Sequence, residues 1–149
     1  MRAVVQRARD AQVTVDGEVV GSLDWGILVY IGVAVGDQRA DAEYVAEKVA
    51  GLRIFMDGDE KMNLSVRDVH GGALVISQFT LLADARKGRR PSYSNAAEPE
   101  LADELYRYFV DCLRKLGVPT ETGTFRASMR VSYTNEGPIT ILLDSKKLF

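Results

Sequence analysis

Hydrophobic and polar positions along this chain change their spacing several times, and each change predicts a different element. Ala3-Val4-Val5-Gln6-Arg7 is a short apolar run. Gln12-Val13-Thr14-Val15 and Glu18-Val19-Val20 flank Asp16-Gly17. Asp-Gly between apolar runs predicts a tight hairpin, because both turn positions need positive φ. Residues 26–35 (GILVYIGVAV) are too apolar to alternate, which predicts a central strand buried on both faces. Ala42, Val45, Ala46 and Val49 then stand at i, i+3, i+4 and i+7, the spacing of one helix face. Arg53-Ile54-Phe55-Met56 predicts a further strand, ended by Asp57-Gly58. Ala73-Leu74-Val75-Ile76 predicts a buried strand that runs into Ser77-Gln78-Phe79-Thr80-Leu81.

Residues 83–97 are polar and contain Gly88, Pro91 and several Ser and Asn, which predicts a loop. A long helix is expected from Pro99, with Glu98, Glu100, Asp103 and Glu104 near its positive end. Its apolar stripe is Leu101, Leu105, Tyr108, Phe109, Cys112, Leu113 and Leu116; Arg114 and Lys115 suit its negative end, and Gly117 with Pro119 stops it. Met129-Arg130-Val131-Ser132-Tyr133 alternates, Asn135-Glu136-Gly137-Pro138 breaks the pattern, and residues 139–143 form a last strand. The sum is one α+β domain spanning residues 1–149, a mainly antiparallel, barrel-like sheet with two main helices.

Composition narrows the chemistry. A chain of 149 residues, 46% hydrophobic and 27% charged, can bury a core without staples. The net charge of −2 argues against a generic nucleic-acid binder, though local basic patches stay open. The longest apolar stretch is about half of a membrane span, and the first residues carry no leader-like apolar run. A lone cysteine fits the cytoplasm. Cys112 falls on the helix stripe, where a core role is expected. His70 is the only histidine and sits beside Gly71-Gly72 in an expected surface turn. A His-based triad would have to use it, and a zinc site made with Cys112 and His70 is two ligands short. No metal and no cofactor are expected.

Three segments carry candidate chemistry. Ser77-Gln78-Phe79-Thr80 brings polar side chains to the end of a buried strand, a rigid platform from which hydroxyl, amide and backbone N–H groups orient an ester and hold its oxyanion. A strand that simply turns polar at the surface explains the same pattern. Thr80 as nucleophile would need a base that the neighbouring sequence lacks, so positioning is its expected role. Asn135-Glu136-Gly137-Pro138-Ile139-Thr140 offers little side chain and lets a carbonyl approach a ligand; an ordinary turn is the plain alternative. Arg86-Lys87-Gly88-Arg89-Arg90 places four cations in five residues, suited to phosphates or to solvent.

Taken together, Ser77-Gln78-Phe79-Thr80-Leu81 and Asn135-Glu136-Gly137-Pro138-Ile139-Thr140 resemble the signature pair of the D-aminoacyl-tRNA deacylases. Arg53-Ile54-Phe55, Lys61-Met62-Asn63-Leu64, Lys87-Gly88-Arg89-Arg90-Pro91-Ser92 and Leu105-Tyr106 resemble further family segments, so the likeness runs along the whole chain. The resemblance implies a homodimer with a barrel-like fold and an active site at residues 77–80. Gly137-Pro138 of the other subunit would enter that site with a cis peptide bond. It implies ester hydrolysis of D-aminoacyl-tRNA, with Gly137-Pro138 excluding L side chains and Met129 near the substrate. Backbone amides near Phe79 and Thr80, with the 2′-hydroxyl of the terminal adenosine, would do the chemistry. Glycyl-tRNA, including Gly-tRNA(Ala), is then expected to be cleaved as well. Arg86, Lys87, Arg89 and Arg90 are expected to touch tRNA; no DNA or membrane partner is expected.

The chain departs from the family pattern at Arg126, more often small, and Ser128, more often acidic. Glu136 stands for the commoner Asp, and Tyr133 for Leu. Three alternatives are an RNA-binding module without catalysis, a hydrolase of another small ester or amide, and a structural dimer.

Overall fold

A computed structural model describes residues 1–149. Its order is β1 (Arg2–Val15), β2 (Glu18–Gly32), α1 (Arg39–Gly51), β3 (Phe55–Met56), β4 (Met62–Leu64), β5 (Gly72–Ser77), a 3₁₀ turn (Phe79–Leu82), α2 (Pro99–Lys115), β6 (Thr120–Thr122) and β7 (Arg130–Asp144). Strands lie in the order β6-β5-β2-β1-β7, and β3 pairs only with β4.

The expected hairpin is present: Asp16 and Gly17 have φ of 50° and 82°, and they join β1 to β2. β1 is one long strand where two short runs were expected. β1 pairs antiparallel with β2 and with β7, but β2–β5 and β5–β6 are parallel. The α+β class stands, and its sheet is mixed. Parallel pairing needs a crossover, which α1 and the β3–β4 hairpin supply between β2 and β5.

The β2–β5 pair is buried on both faces, as the unbroken apolar runs require. Ile27, Val29, Ile31, Ala73 and Val75 face the helices; Leu28, Leu74 and Ile76 face the other way. β1 serves both faces. Ala3 and Val5 join the helix side, while Ala8, Ala11 and Val13 cover Leu28, Leu74 and Ile76. Register shifts between Gln6 and Ala8 and between Arg9 and Gln12 bend the strand between these two duties. The result is a barrel-like wrap, closed by Met129, Val131 and Tyr133 of the C-terminal segment.

The helices pack by the expected spacing, with one shift. In α1, Ala42, Val45, Ala46 and Val49 are buried. In α2 the buried face is Leu105, Tyr106, Phe109, Val110, Cys112 and Leu113, so Leu101 is left 37% exposed and the stripe turns toward Tyr106. Tyr106 donates its hydroxyl to the Val75 carbonyl at 2.9 Å, and burial pushes its pKa up to about 12. That bond pins α2 against β5. Cys112 is buried, and desolvation raises its thiol pKa. Gly117, at φ 84°, ends α2 as expected.

The C-terminal segment departs from expectation. Residues 135–138 do not break the strand: β7 runs through them as a bulge, with only Arg7 of β1 opposite Glu136, Gly137, Pro138 and Ile139. No helix is long and apolar enough to cross a membrane.

Asp41, in the first turn of α1, accepts the Gln38 N–H at 2.8 Å and pairs with Lys146 at 2.7 Å. Burial disfavours its charge, but bonds from Lys146, Ser145 and Gln38 outweigh it and hold its pKa at about 2. A carboxylate pKa lowered on folding stabilises the fold above its unfolded value near 3.8 and loses that contribution as pH falls toward 2. The Tm gap between wild type and Asp41→Asn is therefore full at pH 6 and closes between pH 4 and 2. Thermal melts across that range measure it, and a gap independent of pH would contradict it.

Candidate active site

The end of β5 lies where a cavity of about 470 Å³ opens between the sheet, α2 and the following loops. Ser77, Gln78 and Phe79 line it, with Val33, Ile76, Ala96, Ala97, Ala102, Phe125, Ala127 and Met129. That volume is within the usual range for a small-molecule site, and apolar walls with few polar groups are typical of one.

The local backbone explains the arrangement. Ser77 is the last β5 residue in register with β2, opposite Ile31. Gln78 N–H donates to the Ile31 carbonyl at 2.8 Å, and the chain then turns into the 3₁₀ segment. Phe79 and Thr80 open that turn, so their N–H groups have no acceptor within it. Neither donates to a side chain or to loop backbone. Two main-chain donors without a side-chain or loop-backbone partner thus stand at the strand end, the first of them on a residue of the cavity wall. The Thr80 hydroxyl accepts from Gln78 Nε2, and Thr80 does not line the cavity. No base pairs with it. His70, at φ 52°, is exposed in its turn and does not line the cavity.

Of the expected site residues, the structure brings Ser77, Gln78, Phe79 and Met129 to one cavity and leaves Thr80, Gly137 and Pro138 outside it. Arg86, Lys87, Arg89 and Arg90 are exposed on the loop after the strand end and do not line it either. Arg126 does line it, at φ 63°, a conformation that favours glycine and so suits a small residue there. Ser128 is exposed and not part of the wall. Tyr133 donates to Gln6 Oε1 at 2.5 Å, and burial followed by the Tyr133 neighbour pushes the Tyr30 pKa up.

Gly137 and Pro138 are exposed on the edge strand, and their peptide bond is cis. The bulge takes their carbonyls out of the β1–β7 ladder. Gly137 has φ 133°, and a Cβ there would lie 2.8 Å from Ile139 Cγ1. Pattern reading did not find the residue that holds this bulge. Arg7 is 8% exposed with no carboxylate; it donates to the carbonyls of Glu136 at 2.8 Å and Ile54 at 3.1 Å. Its signal was available: Ala3, Val5 and Arg7 share one strand face, and an arginine on an inward apolar face has a polar duty. Ala96, Ala97, Ala102 and Phe125 were also missed, since small residues on loops and helices carry no local sign of lining a cavity.

An α+β domain with this cavity and these free main-chain donors has the form of an enzyme site. Residues 4–144 match the family model described as D-Tyr-tRNA(Tyr) deacylase. The chain is 58% identical, over the full length of both, to the D-aminoacyl-tRNA deacylases of Fervidobacterium nodosum and Syntrophobacter fumaroxidans. A solved structure of a c-Myc DNA Unwinding Element Binding Protein superposes with TM-score 0.90, 37% identity and coverage of 97% of this chain and 98% of that one. A probable eukaryotic D-amino acid tRNA deacylase shares the fold, with TM-score 0.82 and 17% identity over 95% and 97% of the two chains. This chain belongs to the D-Tyr-tRNA(Tyr) deacylase family.

Arg7→Met keeps the apolar stem and removes the donors. It leaves two carbonyls unsatisfied at about 1–3 kcal/mol each. Thermal unfolding should show a drop of several degrees, and ester hydrolysis should fall further than the lost folded fraction explains. A variant with wild-type Tm and rate would remove Arg7 from this role.

Proposed function

We propose that this chain is a D-aminoacyl-tRNA deacylase that frees the D-amino acid and tRNA by hydrolysing the ester between them. The observation that carries the reading is the apolar cavity at the β5 end, beside the free N–H groups of Phe79 and Thr80, in a chain of this family. Water adds to the ester carbonyl carbon, the two N–H groups hold the oxyanion, and the C–O bond to the terminal ribose breaks as the sugar oxygen takes a proton. The neighbouring 2′-hydroxyl assists. Donors aimed at a developing oxyanion are each worth roughly 10²–10³ in rate. Ser77 and Gln78 orient the ester, and Thr80 positions Gln78. Met129 lines the substrate end of the cavity. The enzyme works in the cytoplasm, where charged tRNA is used.

Chiral selection belongs to Gly137 and Pro138 of a second copy. Three features support this: they are exposed, their carbonyls are free of the ladder, and they lie outside their own chain's cavity. In a homodimer the two carbonyls accept from the substrate ammonium and leave no space on the L side of the α-carbon. A 10⁴ preference needs about 5.5 kcal/mol. A pocket that attracts one side chain supplies roughly 1–3 kcal/mol, whereas collision with backbone has no such ceiling. The filter reads the α-carbon and ignores the side chain, so many D-amino acids pass. Glycine, with nothing to exclude, passes too, and Gly-tRNA(Ala) is a substrate. Lys87, Arg89 and Arg90 contact the tRNA backbone.

Release of D-tyrosine from charged tRNA should exceed that of L-tyrosine by orders of magnitude, and Gly-tRNA(Ala) should also be cleaved. Equal tyrosine rates, or none, overturn the reading; stable glycyl-tRNA at high enzyme overturns its extension to glycine. Thr80→Ala should keep substantial activity, since its hydroxyl is outside the cavity. Complete loss in a folded variant would restore Thr80 as the nucleophile.

A further inference from the structure

Two exposed aromatic rings stand together beside the cavity, next to a loop of unpaired cations. Phe79 is 55% exposed and Tyr93 39% exposed; their centroids are 5.1 Å apart at 66°. Phe79 lines the cavity and Tyr93 does not, so the pair leads from the site to the surface. Arg86 is occupied by Asp84 at 2.6 Å. Lys87, Arg89 and Arg90 are exposed and form no ion pair. The chain as a whole carries a charge of −2, so this cluster is a local reversal of sign.

Backbone hydrogen bonds tie the platform to the site. Asp84 and Ser92 exchange two, at 2.8 and 2.9 Å, and close the basic loop. Tyr93 is held from the other side: its carbonyl accepts from Ala96, while Asn95 and Ala97 bond to Val35 and Val33 at 2.9 Å. The ring and the loop therefore start from anchored backbone.

We propose that this surface is a single-stranded RNA subsite, in which Tyr93 stacks the base of the nucleotide that precedes the terminal adenosine. Lys87, Arg89 and Arg90 hold the phosphates leading to it. The proposal rests on the deacylase reading and extends it from the reacting ester to the nucleic acid. An apolar protein partner would lose contact energy by desolvating three unpaired cations; a polyanion with flat bases satisfies both halves of the surface. Stacking on an aromatic face tolerates any base, and cations along the backbone read charge only. That suits an enzyme whose substrates differ in their bodies and share an unpaired 3′ end.

The test compares D-tyrosyl-tRNA with D-tyrosyl-adenosine, which lacks the preceding nucleotide. Tyr93→Ala should raise KM for the tRNA roughly 5- to 150-fold, the range that one base stacked on one ring gives, while kcat and the adenosine ester change far less. Tyr93→Phe should restore the tRNA KM. Replacing Arg89 and Arg90 by Gln should flatten the slope of log KM against log salt by roughly 1.4. An unchanged tRNA KM in Tyr93→Ala overturns the proposal, and so does equal damage on both esters, which would mean that the ring only supports Phe79. A second readout is independent of hydrolysis: an RNA strand with 2-aminopurine at its penultimate position. Wild type and Tyr93→Phe should quench it, and Tyr93→Ala should not. If wild type cleaves neither ester, the deacylase reading falls and this titration alone decides the subsite. Quenching that survives in Tyr93→Ala, or tighter binding of duplex DNA, overturns it.

Discussion

The parallel register between β2 and β5 depends on two backbones that touch where it begins. A Cβ at Gly26 would lie 1.9 Å from the Gly72 carbonyl oxygen, and Gly26 itself has φ 145°. Only glycine meets both conditions. From that contact the pairing runs residue by residue to Ile31 and Ser77. The same register therefore determines where β5 leaves the sheet, and so where Gln78, Phe79 and the 3₁₀ turn stand. Side-chain burial reinforces it: a slip of one residue would turn Leu74 and Ile76 toward the helices and Ala73 and Val75 away from them. Leu74, Ile76 and Val75 each contribute roughly 1.5–3 kcal/mol by burial. The position of the site is thus held by the core.

Polar groups inside this core are few and most are matched, Asp37 Oδ1 being an exception. Tyr106 reaches the Val75 carbonyl, Arg7 reaches two carbonyls, and the Met1 ammonium pairs with Asp37 at 2.6 Å. Arg7 is the unusual one, since a buried guanidinium normally meets a carboxylate. Here the carbonyls of Ile54 and Glu136 take its place, which fastens the edge-strand bulge to the segment after α1. Arg9 adds a looser hold, 3.3 Å from Glu136 and 4.3 Å from the Trp25 ring, in partly solvated surroundings where such pairs contribute less.

Local pattern foretold the elements better than their partnership. The Asp16-Gly17 turn, the α1 face, the α2 start at Pro99 and the buried runs of β2 and β5 each follow from spacing or turn chemistry within a few residues. Parallel pairing of β2 with β5 does not, because an apolar run reads the same beside a parallel or an antiparallel neighbour. Residues 135–138 carry the residues of a turn, and they read as a break. The ladder tolerates them as a bulge because Arg7 satisfies the Glu136 carbonyl from across the strands. The candidate site was legible as two motifs. The cavity joins one of them to Met129 and leaves the other on the far edge of the sheet, a separation that no spacing reveals. The α2 face turned toward Tyr106 for a similar reason: the acceptor for its hydroxyl lies on another element.

The free groups at the strand end and at the bulge are all main-chain atoms. Alanine keeps the N–H and the carbonyl of the residue it replaces, so a scan of this protein by alanine would pass over the atoms nearest the ester. It would register instead the residues that shape the backbone around them: Gly26, Gly72, Arg7, Gly137. A map of mutational sensitivity would then look like a map of scaffolding, with its deepest marks at glycines and at one arginine remote from the cavity wall. Among the encoded residues only proline removes a peptide donor, so few single replacements can strike this centre directly.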